Sequence, residues 1–278
     1  VLTSAGAGAA AAWEDAGGIT FKEGGTNFTG SLLIGHSSTG TLDAAQHNLG
    51  IGGNALRAIT AGDYNTVVGQ HAGYNISSGV DSTLIGAYAG NVQTTANYNT
   101  AVGVGAGRYA TGGYSSYLGW NAGAQNTSGS WNTALGHSAL EGVSSNANSF
   151  NTAIGAKSNE LVTTGGYNVT VGYLAGDNLT TGSGNILLGT GDFAAADSAR
   201  TFKVISYDGS STTNHIISDS SGNMTLAADL TIGDDLLLDS DSCVLKFGDD
   251  QDVTLTHTDG TGLTLNSTSK LCFQDTGT

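Results

Sequence analysis

The stretch NTAVGVGAG, residues 99–107, decides the fold, because near-copies of it recur along the chain. NTVVGQHAG stands at residues 65–73, NTALGHSAL at 132–140 and NTAIGAKSN at 151–159. The Asn-Thr-aliphatic phrase favours an extended strand, since β-branched residues suit strands, and the glycines that follow favour a break. Each copy therefore predicts one short strand followed by one tight corner.

The glycine after the aliphatic residue of each copy marks a repeat. Seven of the nine intervals between successive glycines equal 17, and the other two equal 16 and 19. The glycines are Gly35, Gly52, Gly69, Gly86, Gly103, Gly119, Gly136, Gly155, Gly172 and Gly189. A fixed short period is typical of a solenoid in which each unit stacks on the next. Because neighbouring strands lie about 4.8 Å apart, ten turns predict an all-β rod of about 45–50 Å.

Both faces of the repeated strand are largely apolar. We expect the residue before each repeat glycine to form the buried core, because it is always aliphatic. This set is Ile34, Ile51, Val68, Ile85, Val102, Leu118, Leu135, Ile154, Val171 and Leu188. The opposite face carries Val67, Leu84, Ala101, Ala134 and Leu187. Since a thin coil has a single interior, we expect this second face to pack against neighbouring chains in a parallel homotrimer.

Three further positions of the repeat indicate how the turns stack. Alanine recurs three residues after the repeat glycine, where a tight corner leaves little space. Gly107 and its equivalents follow, and we expect them at positive φ. Asparagine opens seven of the ten units and predicts a ladder of side-chain amides that hydrogen-bond from turn to turn. These asparagines are Asn48, Asn65, Asn99, Asn132, Asn151, Asn168 and Asn185.

The copies of NTAVGVGAG resemble two kinds of fibrous protein. They are similar to the left-handed parallel β-roll heads of trimeric autotransporter adhesins, and more similar to the repeats of marine phage tail fibres. The opening VLTSAGAGAAAAWEDAG, residues 1–17, also resembles a recurring tail-fibre segment. The resemblance implies a homotrimeric fibre on a virion or cell surface. It also implies other fibre or tail components and a host cell-surface glycan or protein receptor as partners.

The repeat divides the chain into three predicted parts. Residues 1–30 form an N-terminal connector, residues 31–200 form the β-roll repeat domain, and residues 201–278 form an acidic β-rich shaft. In the last part short alternating runs replace the 17-residue phrase, and the pattern of residues 245–249 returns at 271–275. This segment resembles tail-fibre shafts, in which three chains wind together. Since the second copy stands at the end, we expect the natural polypeptide to continue past Thr278.

Composition excludes some classes of partner. The chain has 278 residues, 44 glycines, no proline and a net charge of -15. An acidic surface repels phosphates, so nucleic-acid binding is disfavoured. No apolar run approaches the roughly 20 residues that a membrane-spanning helix needs, so we expect no membrane insertion. Cys243 and Cys272 are too few for a disulfide framework, and they either pair with each other or stay reduced.

Six units place an aromatic residue just before the asparagine position or its equivalent. Aligned along a rod, these residues predict a stripe with two interpretations: it stacks on sugar rings of a glycan, or it is a structural ladder that seals one edge of the coil. The stripe consists of Tyr64, Tyr98, Tyr114, Trp131, Phe150 and Tyr167.

Other candidate chemistry is weak. The six histidines do not show metal-ligand spacing, and His36 and His137 lie six turns apart. The Asp-rich runs at 233–235, 239–242 and 248–252 suit Ca²⁺ or simply tight turns. No nucleophile elbow, phosphate loop or zinc-protease motif occurs, so we expect neither a cofactor nor enzymatic activity.

The sequence therefore predicts a structural and adhesive fibre protein. The first hypothesis is a phage tail fibre on the virion surface that extends a receptor-binding tip for host attachment. The alternative is a bacterial trimeric adhesin or another extracellular filament at the cell surface. A third hypothesis, a tailspike that degrades polysaccharide, needs acidic residues gathered in a groove, and the repeat region carries few of them.

Overall fold

A computed structural model of the chain describes residues 2–3, 12–13, 21–143, 147–227 and 230. Every regular element in these ranges is a β-strand. The strands are β1 (Leu2–Thr3), β2 (Ala12–Trp13), β3 (Phe21–Glu23), β4 (Phe28–Thr29), β5 (Leu32–Ile34), β6 (Ala45–Gln46), β7 (Leu49–Ile51), β8 (Thr66–Val68), β9 (Thr83–Ile85), β10 (Thr100–Val102), β11 (Ser116–Leu118), β12 (Thr133–Leu135), β13 (Thr152–Ile154), β14 (Val169–Val171), β15 (Ile186–Leu188), β16 (Phe202–Tyr207), β17 (Thr212–Ser218) and β18 (Met224–Leu226).

The main sheet is a stack of short parallel strands, one for each turn of the chain. Strands β5 and β7 to β15 pair in register, so that Ala101 of β10 lies between Leu84 of β9 and Tyr117 of β11. The prediction of a parallel β-solenoid with about ten turns of the expected repeat length is confirmed. Strand β16 adds to the stack in parallel across residue 200, and β17 and β18 follow antiparallel. At the other end β3 pairs antiparallel with β5.

Several predictions fall on residues outside the described ranges. These are the two cysteines, the Asp-rich runs, His257 and the repeat shared by residues 245–249 and 271–275. The left-handed sense of the coil, the trimer, the shaft and the three domain boundaries also stay predictions.

The repeat glycines form a ladder in which successive turns nearly touch. All ten have φ between 102° and 143°. A Cβ added to Gly86 would lie 2.4 Å from the carbonyl oxygen of Gly103 in the next turn. Real Cβ atoms do not approach a carbonyl this closely, so both the backbone angle and the space require glycine. Gly107 and its equivalents also have positive φ, as predicted.

The predicted asparagine ladder is confirmed. The Oδ1 atom of Asn132 accepts from the backbone N–H of Asn151 at 2.9 Å, and Asn151 accepts from Asn168 at 3.0 Å. The Nδ2 groups donate to carbonyls further along the chain, for example from Asn168 to Gly182 at 2.9 Å. Where the unit carries serine, as at Ser115, the hydroxyl accepts from the next turn instead. Each buried amide therefore ties its own turn to the next.

The interior combines a row of alanines with larger aliphatic and aromatic side chains. The middle residue of each strand is buried together with the alanine row, which includes Ala106 and Ala122. Tyr117 is the largest fully buried side chain, and its hydroxyl accepts from Asn126 Nδ2 at 3.2 Å. Burial raises the pKa of the Tyr117 phenol. The coil is thus narrow, and larger interior residues need glycines beside them, as Gly123 lies beside Tyr117.

The predicted assignment of faces is wrong. Within one chain the residues before the repeat glycines, Ile34, Ile51, Val68, Ile85, Val102, Leu118, Leu135, Ile154, Val171 and Leu188, lie on the outer face, and each is half-buried or exposed. Leu118 is 49 % exposed, whereas Tyr117 beside it is 0 % exposed. The reason is that asparagine, the middle residue and the repeat glycine share one face of the extended chain. The glycine contact and the amide ladder fix that face inside.

Candidate functional site

The residues of the predicted aromatic stripe, here called the aromatic ladder, stack in two separate runs, Tyr98–Tyr114–Trp131 and Phe150–Tyr167. Its six members are Tyr64, Tyr98, Tyr114, Trp131, Phe150 and Tyr167. Trp131 stacks on Tyr114 with ring centroids 4.3 Å apart and planes 4° apart. Tyr114 stacks on Tyr98 at 4.9 Å, and Phe150 on Tyr167 at 4.7 Å. All six rings are exposed, and all six residues have φ between 57° and 62°. Positive φ is unusual for bulky residues, so the corner geometry imposes it.

Stacking determines what this ladder presents to solvent. Each stacked pair covers one face of both rings, and Tyr114, which lies between Tyr98 and Trp131, is covered on both faces. A sugar ring packs best against an open aromatic face. The geometry therefore favours the structural-ladder interpretation for Tyr114, while contact with a glycan stays a prediction. The ring of Tyr64 stacks on His47 at 5.0 Å, and Asp81 occupies the repeat position between Tyr64 and Tyr98.

A second cluster lies at another corner of the coil, where sequence reasoning found no site. We call it the arginine corner. The Arg57 guanidinium lies over the Tyr74 ring at 5.3 Å, and the His71 ring lies against Tyr74 at 5.3 Å and against Tyr88 at 5.2 Å. The Arg108 guanidinium lies over Tyr88 at 4.8 Å and over Tyr109 at 5.1 Å. The arginine corner thus consists of Arg57, His71, Tyr74, Tyr88, Arg108 and Tyr109. A signal was present, because Arg57 and Tyr74 stand one repeat apart and so occupy equivalent positions of neighbouring units.

The acidic residues of the coil gather further along. Desolvation, a hydrogen bond with Asp192 and the charge of Asp192 raise the pKa of the Asp177 carboxyl from 3.8 to about 6. Lys157 pairs with Glu160 at 3.0 Å and partly offsets this charge. The Asp177 carboxyl therefore keeps its proton to a higher pH than a solvated carboxyl does.

An open depression of about 340 Å³ lies where the coil meets the hairpin of β16 and β17. Lys203 and Asp219 are among its lining residues. Desolvation lowers the pKa of the Lys203 ammonium, and its Nζ donates to the carbonyl oxygen of Asp192 at 2.6 Å. The lysine is thus engaged by the backbone.

The histidines contact neighbours individually. His36 Nε2 lies 2.5 Å from the carbonyl oxygen of Ala55, and His137 stacks on Trp120 at 4.6 Å. Within the described ranges no three histidine, cysteine or acidic side chains come together as metal ligands. In the same part of the chain, no helix has the length and apolar character to span a bilayer.

No family model, curated protein or solved structure matches this chain. The fold consequently stands on the geometry of the coil itself. The likeness to tail-fibre and adhesin repeats stays an expectation drawn from the residues of the repeat.

The outer face of the sheet carries aliphatic side chains that the described chain leaves half-buried or exposed. Along it runs the row of aliphatic residues that precede the repeat glycines, here called the outer row: Ile34, Ile51, Val68, Ile85, Val102, Leu118, Leu135, Ile154, Val171 and Leu188. Ile85, Leu135 and Leu188 are 39 %, 43 % and 39 % exposed. No strand from β5 to β15 contains a charged residue. Exposed apolar strips of this kind are typical of interaction surfaces.

Proposed function

We propose that this chain is a structural and adhesive segment of a homotrimeric fibre. The fibre is a phage tail fibre that stands on the virion surface and extends a receptor-binding tip toward the host. The observation that carries the proposal is the outer row, an apolar strip that follows the coil axis for ten turns. A fibre segment needs such a repetitive lateral surface, whereas an enzyme needs a cleft with converging polar groups.

The pattern of charge supports parallel, in-register association. In such a trimer each residue lies near its own copies, so a charged residue in the contact would repel itself. The strands of the coil carry threonine, serine and aliphatic residues on their outer face, as Thr100 and Val102 of β10 show. The charged residues stand at the corners, where Arg57 and Asp81 are exposed. The three outer rows are therefore compatible with a common axis.

The mass of the purified chain in solution tests the trimer. We expect three times the 27.8 kDa of one chain by multi-angle light scattering. Val102→Asp is expected to lower the mass to that of one chain and keep the β spectrum, because Val102 lies on the outer face. Gln70→Asp, at an exposed corner position, is the matched control and should leave the trimer intact. A monomeric parent chain with an intact β spectrum would contradict the proposal.

Immunogold labelling tests the location. An antibody against the coil should decorate fibres on virions and block infection. Labelling of a bacterial envelope instead would favour the trimeric adhesin. Release of reducing sugar from a host polysaccharide by the purified chain would favour the tailspike enzyme.

A further inference from the structure

The arginine corner combines cations and aromatic rings on a strongly acidic chain. Arg57, Tyr74 and Arg108 each stand five residues after a repeat glycine, so they line one edge of the coil. Asn91 occupies the same position between Tyr74 and Arg108. Successive turns are about 4.8 Å apart, which separates the two arginine backbones by about 14 Å. Along this edge, here called the track, the residues are therefore Arg57, Tyr74, Asn91 and Arg108 in order.

Neither guanidinium is neutralised within the part of the chain that the structure describes. The salt bridge found there joins Lys157 to Glu160, several turns away. Arg57 Nη1 donates to the Tyr74 hydroxyl, which leaves its other N–H groups available. The Nε atom of Arg108 is buried and has no hydrogen-bond partner. Arg108 as a whole is half-buried, so the part of its side chain that reaches solvent, rather than Nε, is available to a ligand.

Packing fixes these cations before any ligand arrives. The Arg108 guanidinium lies 4.8 Å from the Tyr88 ring centroid and 5.1 Å from that of Tyr109. His71, which lies against Tyr88, is itself held by two contacts. Asn54 Nδ2 lies 3.0 Å from His71 Nε2, and Asn91 Nδ2 donates to the His71 carbonyl oxygen at 3.0 Å. An arginine held against aromatic faces loses little side-chain entropy on binding. Its fork of N–H groups then matches an anionic group that accepts two hydrogen bonds.

The chemistry of the track defines the class of ligand. Two separate cations along a straight edge suit a chain with acid groups at intervals, rather than one small anion. The guanidinium groups lie over the rings of Tyr74, Tyr88 and Tyr109, so the arginines, rather than the ring faces, are the groups that meet a ligand. A duplex nucleic acid carries one negative charge per about 1.7 Å and is strongly repelled by the overall charge of -15. A polysaccharide chain with at most one acid group per sugar has a lower linear charge density than a duplex and meets less of this repulsion.

We propose that the arginine corner binds an acidic polysaccharide, with Arg57 and Arg108 donating hydrogen bonds to its carboxylate or sulfate groups. The inference rests on the proposed function, since it names the glycan class that the fibre contacts. The site lies along the side of the coil, so it acts in addition to any tip.

Isothermal titration calorimetry with alginate oligomers, a linear polyuronate, tests the site on the full chain. Arg108→Gln and Arg57→Gln should each weaken binding at least tenfold, and the double variant should abolish it. Lys157→Gln is the matched control, because it removes a cation of the same coil outside the corner, and it should leave binding unchanged. Arg108→Lys keeps the charge but loses the fork, and it should give an intermediate affinity. Thermal melts should confirm that every variant stays folded.

Three additional ligands and the double variant separate the outcomes. A carrageenan oligomer of equal length replaces carboxylate by sulfate and identifies the preferred acid group. Failure of both acidic ligands to bind overturns the inference, as does equal binding of neutral dextran or of single-stranded DNA. An unchanged affinity in the double variant also overturns it. The trimer mass and the virion labelling are independent of these titrations, so the fibre proposal survives or fails separately.

Discussion

Gly86→Ala tests the contact that stacks the turns. The added Cβ would lie 2.4 Å from the Gly103 carbonyl oxygen and 2.6 Å from its carbonyl carbon. Gly86 also has a φ of 131°, which L-residues rarely adopt. Backbone strain of this kind costs about 1–3 kcal/mol. Relief of the collision requires neighbouring turns to separate by several tenths of an ångström, which adds a cost of about the same size.

The expected loss for Gly86→Ala is therefore about 3 kcal/mol or more. In a protein of this size about 1 kcal/mol corresponds to about 2–4 °C, so the midpoint of thermal unfolding should fall by about 6–12 °C. Circular dichroism of the β signal measures this midpoint. The oligomeric state does not enter the argument, because the contact lies within one chain.

Gly53→Ala is the matched control. A Cβ at Gly53 meets no atom within 4 Å, and its φ lies outside the left-handed region. The substitution reduces the freedom of the unfolded chain, so we expect an unchanged or slightly higher midpoint, by at most about 1 kcal/mol in stability. If Gly86→Ala and Gly53→Ala melt at the same temperature, the turns do not stack through their glycines and the reasoning fails.

Three other predictions concern the interior, the amide ladder and the acidic pair. Leu84 is fully buried, so Leu84→Ala should lower the free energy of unfolding, measured by chemical denaturation, by about 2–5 kcal/mol. Gln70→Ala at the surface should leave this free energy unchanged. Equal effects of the two substitutions would show that Leu84 does not lie in the interior. Asn132→Leu removes the acceptor of the buried Asn151 N–H and should cost about 1–3 kcal/mol, measured in the same way, so an unchanged unfolding midpoint would contradict the ladder. The Asp177 carboxyl binds its proton more tightly in the folded chain, so stability should fall as the pH rises from about 4 to 6. Asp177→Asn should remove this fall, and a variant with the parent pH profile would exclude the assignment.

Much of the coil could be predicted because each turn obeys the same local rule. The spacing between successive repeat glycines suffices to count the turns. Together with the recurring asparagine it also pairs the strands in register. The stacking of Asn151 on Asn132 and of Gly103 on Gly86 follows from that count. Such contacts join residues one repeat apart, so periodicity alone specifies them.

The orientation of the strands could not be predicted from hydrophobicity. Both faces lack charge, and valine at position 102 is more apolar than alanine at 101. The glycine contacts and the amide ladder decide instead, because asparagine, the middle residue of the strand and the repeat glycine share one face. That face must lie inside even where it carries alanine, and the aliphatic residue between them then lies outside.

The surface clusters show a similar limit. Aromatic residues at one repeat position predicted the aromatic ladder, but only the geometry shows rings that cover one another's faces, as Tyr114 and Trp131 do. The arginine corner was missed because its contacts combine several repeat positions. His71 contacts Tyr88 at an interval of one repeat, whereas Tyr88 contacts Arg108 at an interval somewhat longer than one repeat. A search at one fixed interval does not connect them.

The division between strands and corners links the fold to the proposed fibre. In the proposed trimer the strands face their own copies and have to be uncharged, so charged residues and ligand contacts lie at the corners. Along one corner the chain then changes from Arg57 and Arg108 in the early turns to Glu141, Glu160 and Asp177 in the later ones. Strand substitutions should therefore alter mass and stability, whereas corner substitutions should alter ligand choice without changing assembly. A corner variant such as Arg108→Gln that dissociates the trimer would show that the two surfaces are not separate.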